Sequence, residues 1–248
     1  MMKIGITERG DAGLDFSWTM KLEKFNIIIS KNLNNQLIEN LIEFRDKIIF
    51  HHTITGWGKS ILEPNVPLLH ESYDRFLQLI NDGFNIKQYV LRIDPIIPTK
   101  DGLEKAKLVL EQFKDSGVKR VRFSFFDMYP HVKERFIQND VMLPYETFHA
   151  PQELIENGLK LIEQYEDVYS FESCGEALKY RAGCISKKDL QIMGINEELI
   201  GASYQRPLCL CPRNKTELLD SRKQCAHKCL YCFWKREDNK NTEKFFEI

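Results

Sequence analysis

Cys225, Cys229 and Cys232 stand in one short run, Cys225-Ala226-His227-Lys228-Cys229-Leu230-Tyr231-Cys232, with the spacing C-x3-C-x2-C. Three thiols packed so closely are a poor arrangement for disulfides, and they fall one short of the four ligands that structural zinc takes. They suit a cubane [4Fe–4S] cluster in which three irons are tied to protein and the fourth is left open. Four more cysteines complete the set of seven: Cys174, Cys184, Cys209 and Cys211. Four thiolates saturate either a second [4Fe–4S] cluster or a zinc ion. Cys209 and Cys211 are too close in sequence for an easy disulfide and are well placed to share a metal. The plainer reading makes Cys174 and Cys184 small buried hydrophobes and Cys209 and Cys211 ordinary strand residues. Of the two metals, iron–sulfur is favoured by the neighbouring triplet.

Composition bounds the setting of this chemistry. The chain has 248 residues, enough for one large α/β domain or two small ones. It is 43% apolar and 29% charged, ordinary for a globular protein. A formal net charge of −1 argues against an indiscriminate grip on nucleic acid. No run approaches membrane-spanning length, and Met1-Met2-Lys3-Ile4-Gly5-Ile6 lacks the apolar core of a secretion signal. Seven cysteines without such a signal imply a reducing, cytoplasmic setting, with no membrane partner.

The first two-thirds of the chain alternates β-like runs with amphipathic helical patterns, the signature of a parallel sheet. Strands are expected at Lys3–Thr7, Phe25–Ser30, Ile48–Thr55, Gln88–Asp94, Arg120–Phe126 and Val168–Ser173. Helices are expected near Asn35–Arg45, His70–Asp82, Leu103–Asp115 and Gln152–Tyr165. Leu103, Ala106, Leu110 and Phe113 recur at helical spacing. Gly83 and Gly117 follow two of these helices, where a left-handed cap is easily adopted. Six such units fit a TIM-like partial (β/α)6 barrel or an open doubly wound sheet. The expected division is a parallel core over 1–174 and a cysteine-rich, cluster-binding extension over 175–248 that completes the same domain.

In a parallel fold the chemistry collects at the C-terminal ends of the strands. Several of these ends are polar. Lys31 follows the second strand and is a candidate for a ligand carboxylate or phosphate. His51 and His52 are adjacent on the third strand and face opposite sides, so at most one points inward; Thr55 follows them. Arg92 and Asp94 share one face of the fourth strand, either as a buried pair or as ligand-binding groups. Ser124 ends the fifth strand. Glu172, on the sixth, is placed to hold a ribose hydroxyl or an ammonium group. Arg9 and Asp11 either line the mouth or pair with each other.

Several motifs run in order along the chain: His52-Thr53-Ile54-Thr55-Gly56-Trp57-Gly58, Leu62-Glu63-Pro64-Asn65-Val66-Pro67, Arg92-Ile93-Asp94-Pro95-Ile96 and Ser124-Phe125-Phe126-Asp127-Met128-Tyr129. With Gly183-Cys184-Ile185, Gln205-Arg206-Pro207 and the cysteines, they resemble a domain-of-unknown-function family with a C-terminal cysteine cluster. The triplet itself resembles the C-x3-C-x-φ-C motif of radical S-adenosylmethionine (SAM) enzymes, with Tyr231 at the aromatic position. There is a more distant likeness to the spore photoproduct lyase branch. The resemblance implies an enzyme in which a [4Fe–4S] cluster on Cys225, Cys229 and Cys232 binds SAM through its open iron. It also implies a 5′-deoxyadenosyl radical, and a flavodoxin or ferredoxin as electron donor. Tyr231, Lys31, Thr55, Arg92, Asp94, Ser124 and Glu172 are the expected cofactor-binding residues. The substrate is a small molecule, a nucleotide or a nucleic-acid base, the last suggested by Arg213, Lys215, Arg222, Lys223, Lys228 and Lys235 around the cluster segment. Ordinary radical SAM proteins carry the motif after their first strand, so its position here calls for a circular permutation. A strand within Leu208–Leu219 would then precede the loop. The rival readings are a non-enzymatic iron–sulfur or zinc-binding module and an electron-transfer protein.

Overall fold

The computed structural model describes residues 2–174, 178–201, 210–219 and 225–233. Cys209, the Gln205-Arg206-Pro207 turn, Arg222, Lys223 and Lys235 lie outside them. The described chain forms seven strands: β1 (Ile4–Ile6), β2 (Phe25–Ser30), β3 (Ile48–Thr53), β4 (Tyr89–Ile96), β5 (Arg120–Phe125), β6 (Ser170–Ser173) and β7 (Lys215–Glu217). The helices are α1 (Asn35–Glu43), α2 (Leu69–Asn81), α3 (Lys100–Phe113), α4 (Pro130–Gln138), α5 (Gln152–Glu163) and α6 (Lys187–Ile192). All strands are parallel, in the order β6-β5-β4-β3-β2-β1-β7.

Local chemistry sets several boundaries. Asn34 accepts from the Leu37 amide at the start of α1, and Thr99 accepts from the Gly102 amide at the start of α3. Beyond α2 and α3, Gly83 (φ +97°) and Gly117 (φ +86°) take the left-handed conformation expected of them. β7 is the strand that apolar patterning cannot show, because Lys-Thr-Glu has no hydrophobic residue. Its pairing with β1, Ile4 against Lys215 and Ile6 against Glu217, defines it. It falls inside Leu208–Leu219, where a strand was expected, and precedes the cysteine loop. The Glu217 carboxylate then gathers the amides of Glu8 (3.0 Å), Arg9 (3.1 Å) and Leu219 (3.1 Å), and burial pushes it up to about 7.

From β1 to β6 the strands advance in one direction across the sheet. Right-handed crossovers then place every connecting helix on the same face. One hydrophobic cluster accordingly joins Leu37 and Leu41 of α1, Phe76 of α2, Val109 and Phe113 of α3, Phe136 of α4 and Ile162 of α5 to Phe50, Leu91, Ile93, Val121 and Phe123. The opposite face carries Ile4, Ile6, Ile27, Ile29, Ile49 and Val90, covered by Ile185 and Leu190 of the α6 region together with Cys184 and Cys211. A doubly wound sheet would have crossover helices on both faces.

The sheet also curls. Laid flat, β6 and β7 would stand about 29 Å apart, six spacings of ~4.8 Å. Yet Cys174 follows β6 directly, Cys211 lies just before β7, and their sulfurs are within 4.8 Å of each other. The chain from Cys211 to β7 spans at most roughly 14 Å even when fully extended. Closure by hydrogen bonding between β6 and β7 is absent among the described residues.

Gly158 on α5 shows how tightly the helical face is packed. A Cβ there would stand 2.4 Å from the Phe125 ring. Alanine ordinarily favours a helix over glycine by about 1 kcal/mol, whereas overpacking a core costs roughly 1–3 kcal/mol. The clash wins, so Gly158→Ala should lower the urea midpoint, and an unchanged or higher midpoint would contradict this packing.

Candidate metal centre

Parallel strands share one polarity, so all their C-terminal ends meet at one rim. The loop 225–233 lies there, held by contacts from four separate parts of the chain. Its Leu230 amide donates to the Leu62 carbonyl (2.9 Å), and the Asn65 side chain donates to the Ala226 carbonyl (2.8 Å). The Arg135 guanidinium of α4 donates to the carbonyls of Leu230 (2.8 Å) and Cys232 (2.6 Å). His227 meets Asp11 through Nε2 (2.9 Å) and the Asn65 carbonyl through Nδ1 (3.1 Å). Asp11 is itself fixed at the end of β1, accepting from the Gly13 amide (2.8 Å), the Ser30 hydroxyl (2.5 Å) and the Lys31 amide (2.6 Å). Burial would raise the Asp11 carboxyl, but these bonds and His227 hold it below the usual carboxylate range. Asp11 therefore pairs with His227, not with Arg9.

The second anchor is Tyr231. Its buried hydroxyl bonds Glu63, and Lys31 Nζ reaches both Glu63 Oε1 (2.7 Å) and the Tyr231 oxygen (2.9 Å). The Thr55 hydroxyl adjoins Glu63 and Tyr231. Burial works against both charges, yet the pair wins: Lys31 is raised and Glu63 lowered, each chiefly by the other. Lys31 and Thr55, expected at strand ends, and Tyr231, expected beside the cluster, meet at one point.

The thiols sit between these anchors. Cys229 is buried, while Cys225 and Cys232 are half-buried. Burial pushes Cys225 up to about 11 and Cys229 higher still, and charge on Cys225 or Cys232 would raise Cys229 further, with Lys31 opposing. Such thiols stay protonated until a cation displaces the protons. Three thiols on one turn-rich loop beside the Lys31 ammonium are the groups that would hold the expected cluster.

The remaining expected residues form a different set. Thr53, Arg92, Arg122 and Glu172 lie in one register row across β3 to β6. Arg92 Nε donates to Asp94 Oδ2 (2.8 Å) and the Ser124 hydroxyl donates to Asp94 Oδ1, so the two form a half-buried pair. The Glu172 carboxylate is taken up by Arg120 (2.9 Å) and Arg122 (3.1 Å), which also bind Asp189 of α6 (2.6 and 3.4 Å). It is an ion-network residue on the concave face. Burial would raise Glu172, but the two arginines outweigh it and bring it to about 2. His51 and His52 do face opposite ways. His52 bonds the Tyr89 hydroxyl (2.9 Å) on the helical side, while His51 is fully buried among Arg92, Arg120 and Arg122, with no hydrogen-bond partner for either ring nitrogen among the described residues. Burial and those arginines lower it well below the usual histidine range.

Cys174, Cys184 and Cys211 converge, their sulfurs all within 4.8 Å, with the Cys184 amide donating to Cys211 Sγ (3.2 Å). The fourth expected ligand, Cys209, is outside the described residues. Lys215, expected in a basic surround, is instead tied to Glu8 (2.5 Å) with its side chain largely buried. Sequence reasoning overlooked Glu63, Arg135 and Glu8. A buried glutamate in a loop has no periodic signal, and Arg135 belongs to α4, a helix with too few apolar positions to announce itself.

Together these features define an all-parallel α/β protein with its crossover helices on one face of the sheet and a thiol-bearing rim. Residues 18–234 match the family described as Domain of unknown function (DUF1848), and the chain belongs to that family. No curated protein matches it. No described helix is long and apolar enough to cross a membrane.

Two outcomes follow from the electrostatics. Asp11→Asn removes the charged acceptor of the His227 bond, a hydrogen bond to a charged group being worth about 1.5–3 kcal/mol. It should release the loop, read as faster alkylation of Cys229 in metal-free protein; an unchanged rate would show that His227 does not hold the loop. Glu172 ionises lower in the folded chain (about 2) than its ordinary 4.5. Its contribution, on the order of 3 kcal/mol, is therefore fully present above pH 4.5 and lost as the pH falls through 2. The destabilisation caused by Glu172→Gln should shrink as urea titrations move from pH 7 toward pH 3.5. A pH-independent penalty would contradict the pairing with the arginines.

Proposed function

We propose that this protein is a radical SAM enzyme built on a circularly permuted partial barrel. The observation that carries the reading is the place of the three-cysteine loop: it follows β7, which pairs beside β1, and it is anchored at the C-terminal rim over a concave polar face. In strand order β7 comes first, so the loop stands where a motif after the first strand of an unpermuted barrel would stand. When bound on Cys225, Cys229 and Cys232, a reduced [4Fe–4S] cluster supplies the electron that splits SAM into methionine and a 5′-deoxyadenosyl radical.

The chain's own residues prepare that chemistry. His227 and Tyr231 fix the backbone on either side of Cys229, so its sulfur is held before any metal arrives. Lys31 places a positive charge beside Cys229, which favours the thiolate and a bound anion. Glu63 holds Lys31 in that position. Asp94, within electrostatic reach of Lys31 and bonded to Arg92 and Ser124, continues the polar lining toward the concave face. This lining, with charges of both signs, suits a small polar molecule or nucleotide as substrate and gives less support to a nucleic acid, since Lys215 is withdrawn from the basic surround. A small redox protein such as flavodoxin or ferredoxin would supply electrons near the half-buried Cys232 and the exposed Phe233.

Anaerobic reconstitution followed by dithionite reduction with SAM tests the reading. The expected result is methionine and 5′-deoxyadenosine, together with a SAM-dependent change in the reduced cluster's EPR signal. Cys229→Ala should remove both. An intact cluster indifferent to SAM would favour a non-enzymatic module and sink the proposal, and cleavage surviving in Cys229→Ala would overturn the ligand assignment.

A further inference from the structure

The second cysteine group has a geometry of its own. A single zinc ion with Zn–S bonds of ~2.3 Å sets its sulfurs about 3.8 Å apart at the corners of a tetrahedron. A cubane distributes its cysteines over four separate irons, so its ligand sulfurs stand farther apart. Cys174, Cys184 and Cys211 place all three sulfurs within 4.8 Å of one another, the compact arrangement. Glu8 Oε1 lies 3.5 Å from Cys184 Sγ, and a tetrahedral edge between a sulfur and a carboxylate oxygen on zinc is about 3.6 Å.

The surroundings agree with an ion at this point. Lys215 Nζ binds the other Glu8 oxygen, Oε2, at 2.5 Å, which orients Oε1 toward the Cys184 sulfur as outer partners of metal ligands commonly do. Three thiolates and a carboxylate around a divalent ion leave a net charge of −2. Lys215, Arg92 and Arg122 all lie within electrostatic reach of Cys184 and offset it. The Cys184 amide also points at the Cys211 sulfur, a donor that suits a thiolate.

We propose that Cys174, Cys184, Cys211 and the Glu8 carboxylate bind one tetrahedral zinc ion that ties the two edge strands of the curled sheet together. Cys174 follows β6, Cys211 precedes β7, and Glu8 follows β1, so the ion does across the open seam what hydrogen bonds do elsewhere in the sheet. This replaces the expected second iron–sulfur cluster, and it assigns the fourth ligand to Glu8 instead of Cys209. It is independent of the rim loop's function.

The test is metal content and zinc X-ray absorption on the full-length chain, repeated in a Cys225→Ser/Cys229→Ser/Cys232→Ser variant that lacks the rim ligands. One zinc per chain is expected in both, with a first shell of three sulfurs and one oxygen, and no labile sulfide in the triple variant. Glu8→Gln should alter the zinc shell, whereas Cys209→Ser should leave it unchanged. Iron and sulfide in the triple variant, no retained zinc in the full-length chain, or a four-sulfur shell lost with Cys209→Ser would each overturn the assignment. Because SAM cleavage is not the readout, failure here leaves the rim cluster untouched, and failure of the rim cluster leaves this site standing.

Discussion

A charge buried without a partner is expensive enough to dictate where chain segments meet. Lys31 and Glu63 impose that constraint at the rim. Neither tolerates its burial alone, and their meeting brings the segment after β2 against the loop before α2. The Tyr231 hydroxyl completes the pair. Asp11 and His227 do the same one turn away. The two anchors bracket Cys229, so its sulfur position is set by electrostatics that owe nothing to a metal. Leu230 and Tyr231 are buried in the hydrophobic cluster beside Cys229, so apolar packing adds to these two anchors.

The sheet converts those local pairs into a site. Because the strands advance in one direction and cross over with one hand, their helices crowd onto one face and leave the other for polar rows. Thr53, Arg92, Arg122 and Glu172 line up there only because parallel register repeats the same height on each strand. Opposed charges along the row keep the concave face polar while satisfying its members.

The strands and the longer helices were legible because their residues carry period: Leu103, Ala106, Leu110 and Phe113 could hardly have been anything else. Ends moved where apolar patterning outlasts hydrogen bonding, as at Thr53, beyond which β3 stops two residues early. β7 was invisible as a pattern, since Lys-Thr-Glu becomes a strand through its neighbour β1. The rim cysteines were legible from spacing, and Lys31 and Tyr231 from their places beside a strand end and a ligand. Glu63, Arg135 and Glu8 were not, because each is defined by partners far along the chain, Lys31 and Tyr231 for Glu63, the rim loop for Arg135 and Cys184 for Glu8. The pairing of Arg92 with Asp94 rests on two short distances that no sequence contains.

Chain order adds a temporal side to the Arg135 clasp. Asp11, Lys31, Glu63 and Arg135 are all synthesised before Cys225, so on the ribosome the receptacle can be assembled while the sulfur donors are still untranslated. A motif near the start of a chain would instead wait, exposed, for its surroundings. Here the rim thiols follow in chain order the groups that hold them, which shortens the interval in which the wrong ion can reach them.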